Sequence, residues 1–513
     1  QNLNKLSNDD SLNPAEKASV AINKFGKLGD AIVVTPSNIC DDMVSLIPEE
    51  TYMALSQTNG KVLDIAGTAG EYAVALYKKM RALGVSEDVV KNSIYAIPKS
   101  SICYELTRKL YEMLGLKVAN IAKEFIATDL LEVKNGNDID YDKIKALLTQ
   151  NKPFDTINLT DTLTEGENDM IKFEAVVGNP PYQEDDGGAQ KSARPIYNYF
   201  VYMGKKLTSN YLSIIMPSRW YAGGKGLDEF RDDMLNDTHI CVLHDFLHPE
   251  EVFPDTNNRG GICYLGSSKS FDNTKTGVTI ISHEKNGKTY SSQRSLKTRD
   301  LDIFIRDTRA IVILDKINEL DSANTIMHYV SSRKPFGIDG AFVKNDEYKS
   351  TPLELNEPIM CFGKAKKVGF VEKTQVITHE NWINKWKVYL PYANNIGTEL
   401  NDDNQNAFVG SPNTICTETF LVVGAELDLN EMSANNLCKY LKTRFARFLH
   451  SLAKISQHGT AKTYRFVPIQ DFTDKSDIDW SKSVAEIDQR LYKKYNLDDS
   501  EIAFIESMIK PME

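Results

Sequence analysis

The apolar run KVLDIAG (61–67) ends in glycine and is followed at once by EYAVALYKKMRALG, whose apolar residues recur at helical spacing. This pair constrains the chain more than any other feature. A short run apolar at nearly every position is buried on both faces, and a strand followed by an amphipathic helix fits a parallel sheet. The alternation continues down the chain. NSIYAIP reads as a second strand, stopped by Pro98, and ICYELTRKLYEMLG as a second helix. EFIATDLLEV holds a third strand or its end, FEAVVG a fourth, NYLSIIMPSRW a fifth and GGICYLGSS a later one. The fold class expected is therefore α/β, with a Rossmann-like, mostly parallel sheet. Ligands of such sheets bind beyond the carboxyl ends of the strands. AGTAG, TDLL and GNPPY all fall at such ends, which predicts one shared site.

A chain of 513 residues is too long for one ordinary core, so two or three domains are expected. No stretch is long and apolar enough to suggest a membrane span. The polar start lacks the basic-then-apolar pattern of a signal peptide. The seven cysteines (Cys40, Cys103, Cys241, Cys263, Cys361, Cys416 and Cys438) are scattered and never spaced C-x-x-C. They read as buried thiols in a reducing, cytoplasmic setting rather than as zinc ligands or disulfides, and no metal site is expected.

From about Leu320 the pattern changes. SSRKPFGIDGAF, CFGKAKKVGFVEK and VGSPNTICTETFLVV are short β-like runs carrying basic side chains. SANNLCKYLKTRFARFLHSLAK reads as one amphipathic helix with Leu437, Leu441, Phe445, Phe448 and Leu452 facing a core, and the tail reads as two short helices. The expected division is 1–320, a mixed α+β domain over 321–475, and a helical tail over 476–513. The net charge of -11 disfavours a nucleic-acid partner on its face. Residues 331–470, however, hold 17 Lys+Arg against 14 Asp+Glu, the one locally basic region, and local patches matter more than totals.

The fourth strand runs into Asn179-Pro180-Pro181-Tyr182. Prolines lock the backbone and cannot pair inside a sheet, so they build a rigid turn just beyond it. The Asn179 amide oxygen and the main-chain carbonyls then converge as acceptors, which suits an amino group. The Tyr182 ring offers a flat face for stacking a base.

In these motifs and their order the chain resembles the gamma-class adenine-N6 DNA methyltransferases, and more narrowly the methylase part of type IIG restriction–modification enzymes. The resemblance implies a class I methyltransferase sheet, S-adenosylmethionine as cofactor, double-stranded DNA as partner and a C-terminal target-recognition domain. GDAIVVTPSNICDDMVSLIP resembles the N-terminal cofactor motif, centred on Thr35 and Pro36. LDIAGTAGEY resembles the glycine loop, with Asp64, Ala66, Gly67 and Gly70. Asp129 and Leu130 in IATDLL stand where the family contacts the cofactor's adenine. Asn179, Pro180, Pro181 and Tyr182 form the catalytic motif, and Asn179 also borders the cofactor. Phe253, in EEVFPDTNNRGGICYLG, stands where the family packs a ring against the target base. Two departures are visible. Ile65 and Thr68 replace the family's usual Pro and first Gly, and Pro98 replaces the acid that binds the cofactor ribose.

The implied reaction takes the target adenine out of the duplex, at a cost of roughly a few kcal/mol, and stacks it on Tyr182 and Phe253. Asn179 and the Pro180 carbonyl accept from its exocyclic amino group, so that positioning is the main catalytic device. The loop QEDDGGAQKSARP (183–195) is expected to fold over the substrate. DNA contacts are expected from Arg333, Lys334, Lys364, Lys366, Lys367, Arg444, Arg447, Lys462 and Arg465, with the protein a monomer on DNA. No nuclease signature is apparent, so any restriction activity is expected upstream of Gln1 or on another chain. Two other readings stay open. One is a methyltransferase for another amino group, on protein glutamine or RNA. The other is a DNA-recognition subunit that has lost catalysis, for which Pro98 speaks.

Overall fold

The structure, a computed structural model, describes residues 12–22, 33–161, 171–184, 193–254, 260–321, 324–394, 406–454 and 458–512. The chain divides into two compact units, Gln1–Phe304 and Ile305–Glu513.

The first unit is built on one eight-stranded sheet. Its strands are β1 (Gly60–Gly67), β2 (Ile94–Pro98), β3 (Lys172–Gly178), β4 (Thr208–Pro217), β5 (Ile240–Phe246), β6 (Ile262–Ser268), β7 (Val278–His283) and β8 (Thr289–Arg294). Their order across the sheet is β8-β7-β5-β6-β4-β3-β1-β2. The β2-β1-β3-β4 half is parallel throughout. β6 runs antiparallel between β4 and β5. A parallel half closed by a reversed strand is the sheet expected of a class I methyltransferase. Burial explains why these runs were readable, because every residue of β1 and β2 is buried.

The expected third strand is the exception. Only Ile121 pairs with β2, through a single parallel bridge to Ala96. TDLL lies in a 3-10 helix, Ala127–Glu132. The chain has exposed Lys123 and Glu124 directly after the bridge, and two adjacent charged residues cannot extend a strand buried on both faces.

Helix α1 (Ser37–Ser45) follows Pro36, whose carbonyl accepts the Cys40 N–H at 3.0 Å. Helix α2 (Glu71–Ala82) follows the glycine loop. Gly70 there has φ +83°, and a Cβ on it would lie 3.2 Å from Leu110, so the turn needs glycine for both reasons. Helix α3 (Ser101–Leu114) is capped by Ser100, which accepts from Cys103 N–H, and ends at Gly115 in the left-handed region. Helix α4 (Tyr197–Leu207) lies between β3 and β4 in the chain.

The second unit carries two small three-stranded sheets. One joins β9 (Pro358–Phe362), β10 (Val368–Glu372) and β13 (Thr414–Cys416). The other joins β11 (Lys387–Pro391), β12 (Phe408–Gly410) and β14 (Phe420–Val423). A helical part follows, α5 (Glu431–Lys442), α6 (Arg444–Ala453), α7 (Val484–Lys494) and α8 (Asp499–Met508). The single helix expected across 433–454 is thus two. Thr443 breaks it at ψ 148°, with its hydroxyl accepting from Ala446 N–H and donating to Tyr440 O at 2.6 Å.

Lys387 on β11 is fully buried, and its ammonium donates to the carbonyls of Ile383 (3.1 Å), Lys385 (2.8 Å) and Ser411 (3.4 Å). Burial pulls its pKa from 10.5 down to about 7. The unfolded chain therefore binds the extra proton between those values, and the penalty on the folded state is fully present below pH 7 and fades as pH rises toward 10.5. The urea midpoint of the full chain, measured against Lys387→Met, should move in the wild type's favour from pH 7 to pH 10. A difference that stays flat over that range would show that the three carbonyls already cancel the burial.

Six of the seven cysteines are buried, as expected of small apolar side chains. Among the described residues no helix is long and apolar enough to cross a membrane.

Candidate functional site

The carboxyl ends of β1 and β3 lie side by side, with Asp64 paired to Val177. Gly178 brings the two turns together, since a Cβ on it would stand 3.0 Å from Ile65 Cγ2 and 3.3 Å from Asp64 Oδ1. Asn179 follows and is 3% exposed. Its Nδ2 donates to Thr35 Oγ1 at 3.2 Å. Its Oδ1 is buried and has no hydrogen-bond partner, which native interiors rarely tolerate without a functional reason. Among the described residues no backbone N–H meets the Pro180 carbonyl either. The strand end thus presents the Asn179 Oδ1 acceptor and, beside it, a Pro180 carbonyl without a backbone partner.

Tyr182 packs edge-to-face on Tyr197 at the start of α4, with ring centroids 6.5 Å apart and planes at 80°. Burial raises its phenol pKa, and its hydroxyl is unpartnered. The ring also packs against the core cluster that contains Phe253, Val252 and Tyr264. Phe253 is only 3% exposed. Tyr197 was not among the expected site residues, although YNYF (197–200), one residue after Arg194-Pro195, is an aromatic run at a helix start. The loop after Tyr182 is closed at its base by the Gln183 to Pro195 bridge and by Glu184 N–H to Arg194 O at 3.0 Å. The rest of the expected lid, 185–192, lies outside the described residues.

The glycine loop is held from inside. Glu71, 2% exposed, accepts the Thr35 N–H at 3.3 Å on one oxygen and the Ala69 N–H at 2.8 Å on the other. One carboxylate therefore ties the Thr35-Pro36 turn to the loop between β1 and α2. Asp64 Oδ1 accepts from Ala66 N–H at 3.2 Å, while its Oδ2 is buried and unpartnered. Burial first, and then the Glu71 charge, raise the Asp64 pKa well above the carboxylate range. Gly67 lies beside Pro98 in register, and a Cβ on it would stand 3.1 Å from Asp64 Oδ2. With both Glu71 oxygens engaged, Asp64 Oδ2 is the unpartnered carboxyl oxygen next to the strand end that lacks an acid. Lys99 follows Pro98, and burial lowers its pKa against the pull of Glu71 and Asp64. Asp129 is exposed, with Oδ2 on the Ile126 N–H at 2.9 Å, and Leu130 is buried beside it.

Unpartnered buried oxygens on Asp64, Asn179 and Thr68 and a glycine cradle at Gly67 and Gly70 fit a ligand with hydroxyls and amino groups. Thr35 bonds to Asn179 and Asp64 to Ala66, and Gly67 stands against Asp64, so these residues lie close together.

The basic residues of the second unit behave differently from one another. Lys364, Lys366 and Lys367 stand exposed together in the turn between β9 and β10, with Lys366 4.9 Å from the Phe408 ring and Lys367 5.5 Å from that of Tyr348. Arg333 is paired with Glu418 at 3.0 Å and lies over Tyr392, and Lys334 is paired with Asp339. Lys462 is exposed, and Arg465 lies over Phe466. Arg444 is paired with Glu506 at 2.9 Å. Arg447 corrects the expectation of a DNA contact. It is 0% exposed and its guanidinium donates to the carbonyls of Lys442, Thr443 and Lys510.

Comparison with known proteins bears on the first unit. Residues 92–253 match the family model of the Eco57I restriction-modification methylase. A protein of Mycoplasma pneumoniae described as an uncharacterized adenine-specific methylase is 27% identical over 150 residues, which is 29% of this chain and 35% of that protein. This chain therefore spans about a third of that relative. Similar solved structures include the type IIL restriction-modification enzyme MmeI in complex with DNA (9% identity, 97% of this chain and 81% of that one, TM-score 0.47). Another is the type IIG restriction endonuclease BpuSI (12% identity, 96% and 68%, TM-score 0.39). The resemblance read from the motifs agrees with this match, and the matched residues 92–253 include Asn179-Pro180-Pro181-Tyr182.

Proposed function

We propose that this protein is a site-specific DNA methyltransferase that moves a methyl group from S-adenosylmethionine to N6 of an adenine flipped out of duplex DNA, in restriction–modification or host defence. The observation that carries the reading is the buried, unpartnered Asn179 Oδ1 at the end of a strand inside a restriction-modification methylase match.

Asn179 Oδ1 and the Pro180 carbonyl accept the two N–H groups of the adenine amino group. Those bonds turn the nitrogen lone pair out of the ring's conjugation and hold it in one direction. Tyr182 stacks on the base, with Phe253 behind it, which offsets part of the cost of unstacking. Thr35, Pro36, Asp64, Ala66, Gly67, Gly70, Asp129 and Leu130 hold the cofactor, and Asp64 Oδ2 stands nearest to the place of the missing ribose acid. When bound, the cofactor supplies an electrophilic methyl on a sulfonium. No strong base is needed, because the amino group can release its proton to water after transfer. Acceptors fixed before the reaction begins are what accelerate it.

We assign the methyltransferase to 1–320, target recognition to 321–475 and a helical tail to 476–513, with the protein acting as a cytoplasmic monomer on DNA. Lys364, Lys366 and Lys367 are the strongest phosphate candidates, because they are exposed, adjacent and on one turn. Replacing all three by Ala should weaken binding to every duplex and lower the slope of log K against log salt by roughly 0.9 for each phosphate contact removed. An unchanged slope would move the DNA face elsewhere.

Sequencing DNA from cells that express the protein, with modified adenines mapped, tests activity and target together. Unmodified DNA would overturn the reading. Label appearing in protein or RNA instead would favour the other amino-group substrates, and tight cofactor binding with no transfer would favour a silent recognition subunit.

A further inference from the structure

Lysine is almost never buried unless something pairs with its charge. Lys61, the second residue of β1, is only 7% exposed. Its ammonium donates to the neutral Asn59 Oδ1 at 2.9 Å and stands 6.0 Å from the centre of the Tyr95 ring. Among the described residues it meets no carboxylate, and the charge that acts on it has its own sign. Burial first, and then Lys117, lower its pKa from 10.5. A desolvated cation beside a second cation is costly, and an anion between them would remove the cost.

The place for an anion exists. Lys61 and Lys117 line one cavity of about 370 Å³ at the amino ends of β1 and β2, at the other end of β1 from the glycine loop. Its walls come from the helices Glu49–Thr58 and Glu87–Ser93, which bring the hydroxyls of Ser56 and Ser93 to it. Asn59 closes the first of these helices in the left-handed region, at φ 49°, a conformation asparagine tolerates. Asp88 is the acid on the wall, and it takes the Asn92 amide at 3.3 Å. Two ammonium groups therefore share a polar cavity with one carboxylate. The volume is larger than a halide needs and falls in the range of small-molecule sites. Lysine meets phosphate as a point charge, and the several oxygens on one phosphorus can face donors on different walls at once.

We propose that this cavity binds a small phosphate-bearing anion, held by Lys61 and Lys117 and separate from the strand edge that carries Asn179. The proposal goes beyond the methyltransferase reading and does not depend on it.

The test uses the full chain in phosphate-free buffer, with inorganic pyrophosphate as the probe. Calorimetry should show saturable binding at one site. Lys61→Met should weaken that binding about tenfold or more, the order of effect of one lost hydrogen bond to a charged group. Adding Lys117→Ala should abolish it. The methionine variant loses an unpaired buried charge and should fold, and Lys61→Gln serves if it does not. Pyrophosphate should also raise the urea midpoint of the wild type and leave that of the double variant unchanged, with sodium chloride at equal ionic strength as the control for screening. No saturable binding, equal binding by wild type and double variant, or a midpoint that chloride raises as far as pyrophosphate does would each overturn the proposal. So would a loss of duplex affinity in the double variant without pyrophosphate binding by the wild type, which would give the two lysines to the DNA backbone instead.

Discussion

Asn179→Ala should lower methyl transfer to DNA by at least a hundredfold while S-adenosylmethionine continues to bind. Removing one preorganised hydrogen-bonding group from a catalytic site costs about 10²–10³ in rate, and Asn179 supplies one of two acceptors at this strand end. The substitution leaves the rest of the cradle in place, because the glycine loop is held by Glu71 through Thr35 and Ala69 and not by Asn179. Asn179→Asp keeps an acceptor of the same size but loses the donor to Thr35, and it should fall between the two. Single-turnover transfer and calorimetry on the same preparations check this. Alanine at near wild-type rate would remove Asn179 from the chemistry, and equal loss of rate and cofactor affinity would recast it as a cofactor residue.

How much of this was legible in the sequence follows from where each signal lives. β1 and β3 are buried throughout or nearly so, and uniform burial prints itself as an apolar run. The strand end was legible because proline has few structural uses. The third strand failed because a single bridge at Ile121 leaves no period to read. The break at Thr443 was hidden by its own geometry, since Leu437, Leu441, Phe445 and Phe448 are buried on both sides of it and the apolar phase runs through. Glu71 stands in sequence as an acid at a helix start, one that could take over from the acid missing at Pro98, and only the fold shows its two oxygens holding two separate turns. Thr35 and Asn179 were each picked out by motif, but their bond crosses 144 residues, a distance over which pattern carries no pairing.

Arg447→Ala should destabilise the second unit by about 3–5 kcal/mol, the range for removing one partner from a buried charge pair. Arg447 joins two helix ends. Its Nε donates to the Lys442 and Thr443 carbonyls at 3.0 and 3.3 Å, at the carboxyl end of α5 where the helix dipole is negative. The guanidinium also reaches the Lys510 carbonyl at 2.6 Å, tying the chain after α8 to the same junction. Asp488 on α7 accepts the N–H groups of Arg444 and Phe445 at 3.0 and 2.9 Å, at the amino end of α6. The two charges act on each other, with Arg447 drawing the Asp488 pKa down against burial, which still holds it up at about 6. Burial lowers Arg447 itself to about 10. Alanine would leave three carbonyls without their donor and remove one of the two arginine charges acting on Asp488. Arg444→Ala, which removes the partly exposed pair with Glu506 but leaves the Arg444 backbone N–H on Asp488, should cost less, about 1 kcal/mol. Urea unfolding of the two variants separates these roles. If Arg447→Ala kept the wild-type midpoint and lost affinity for DNA alone, its side chain would have to leave the interior to meet a phosphate, and the junction described here would be a resting state of that switch.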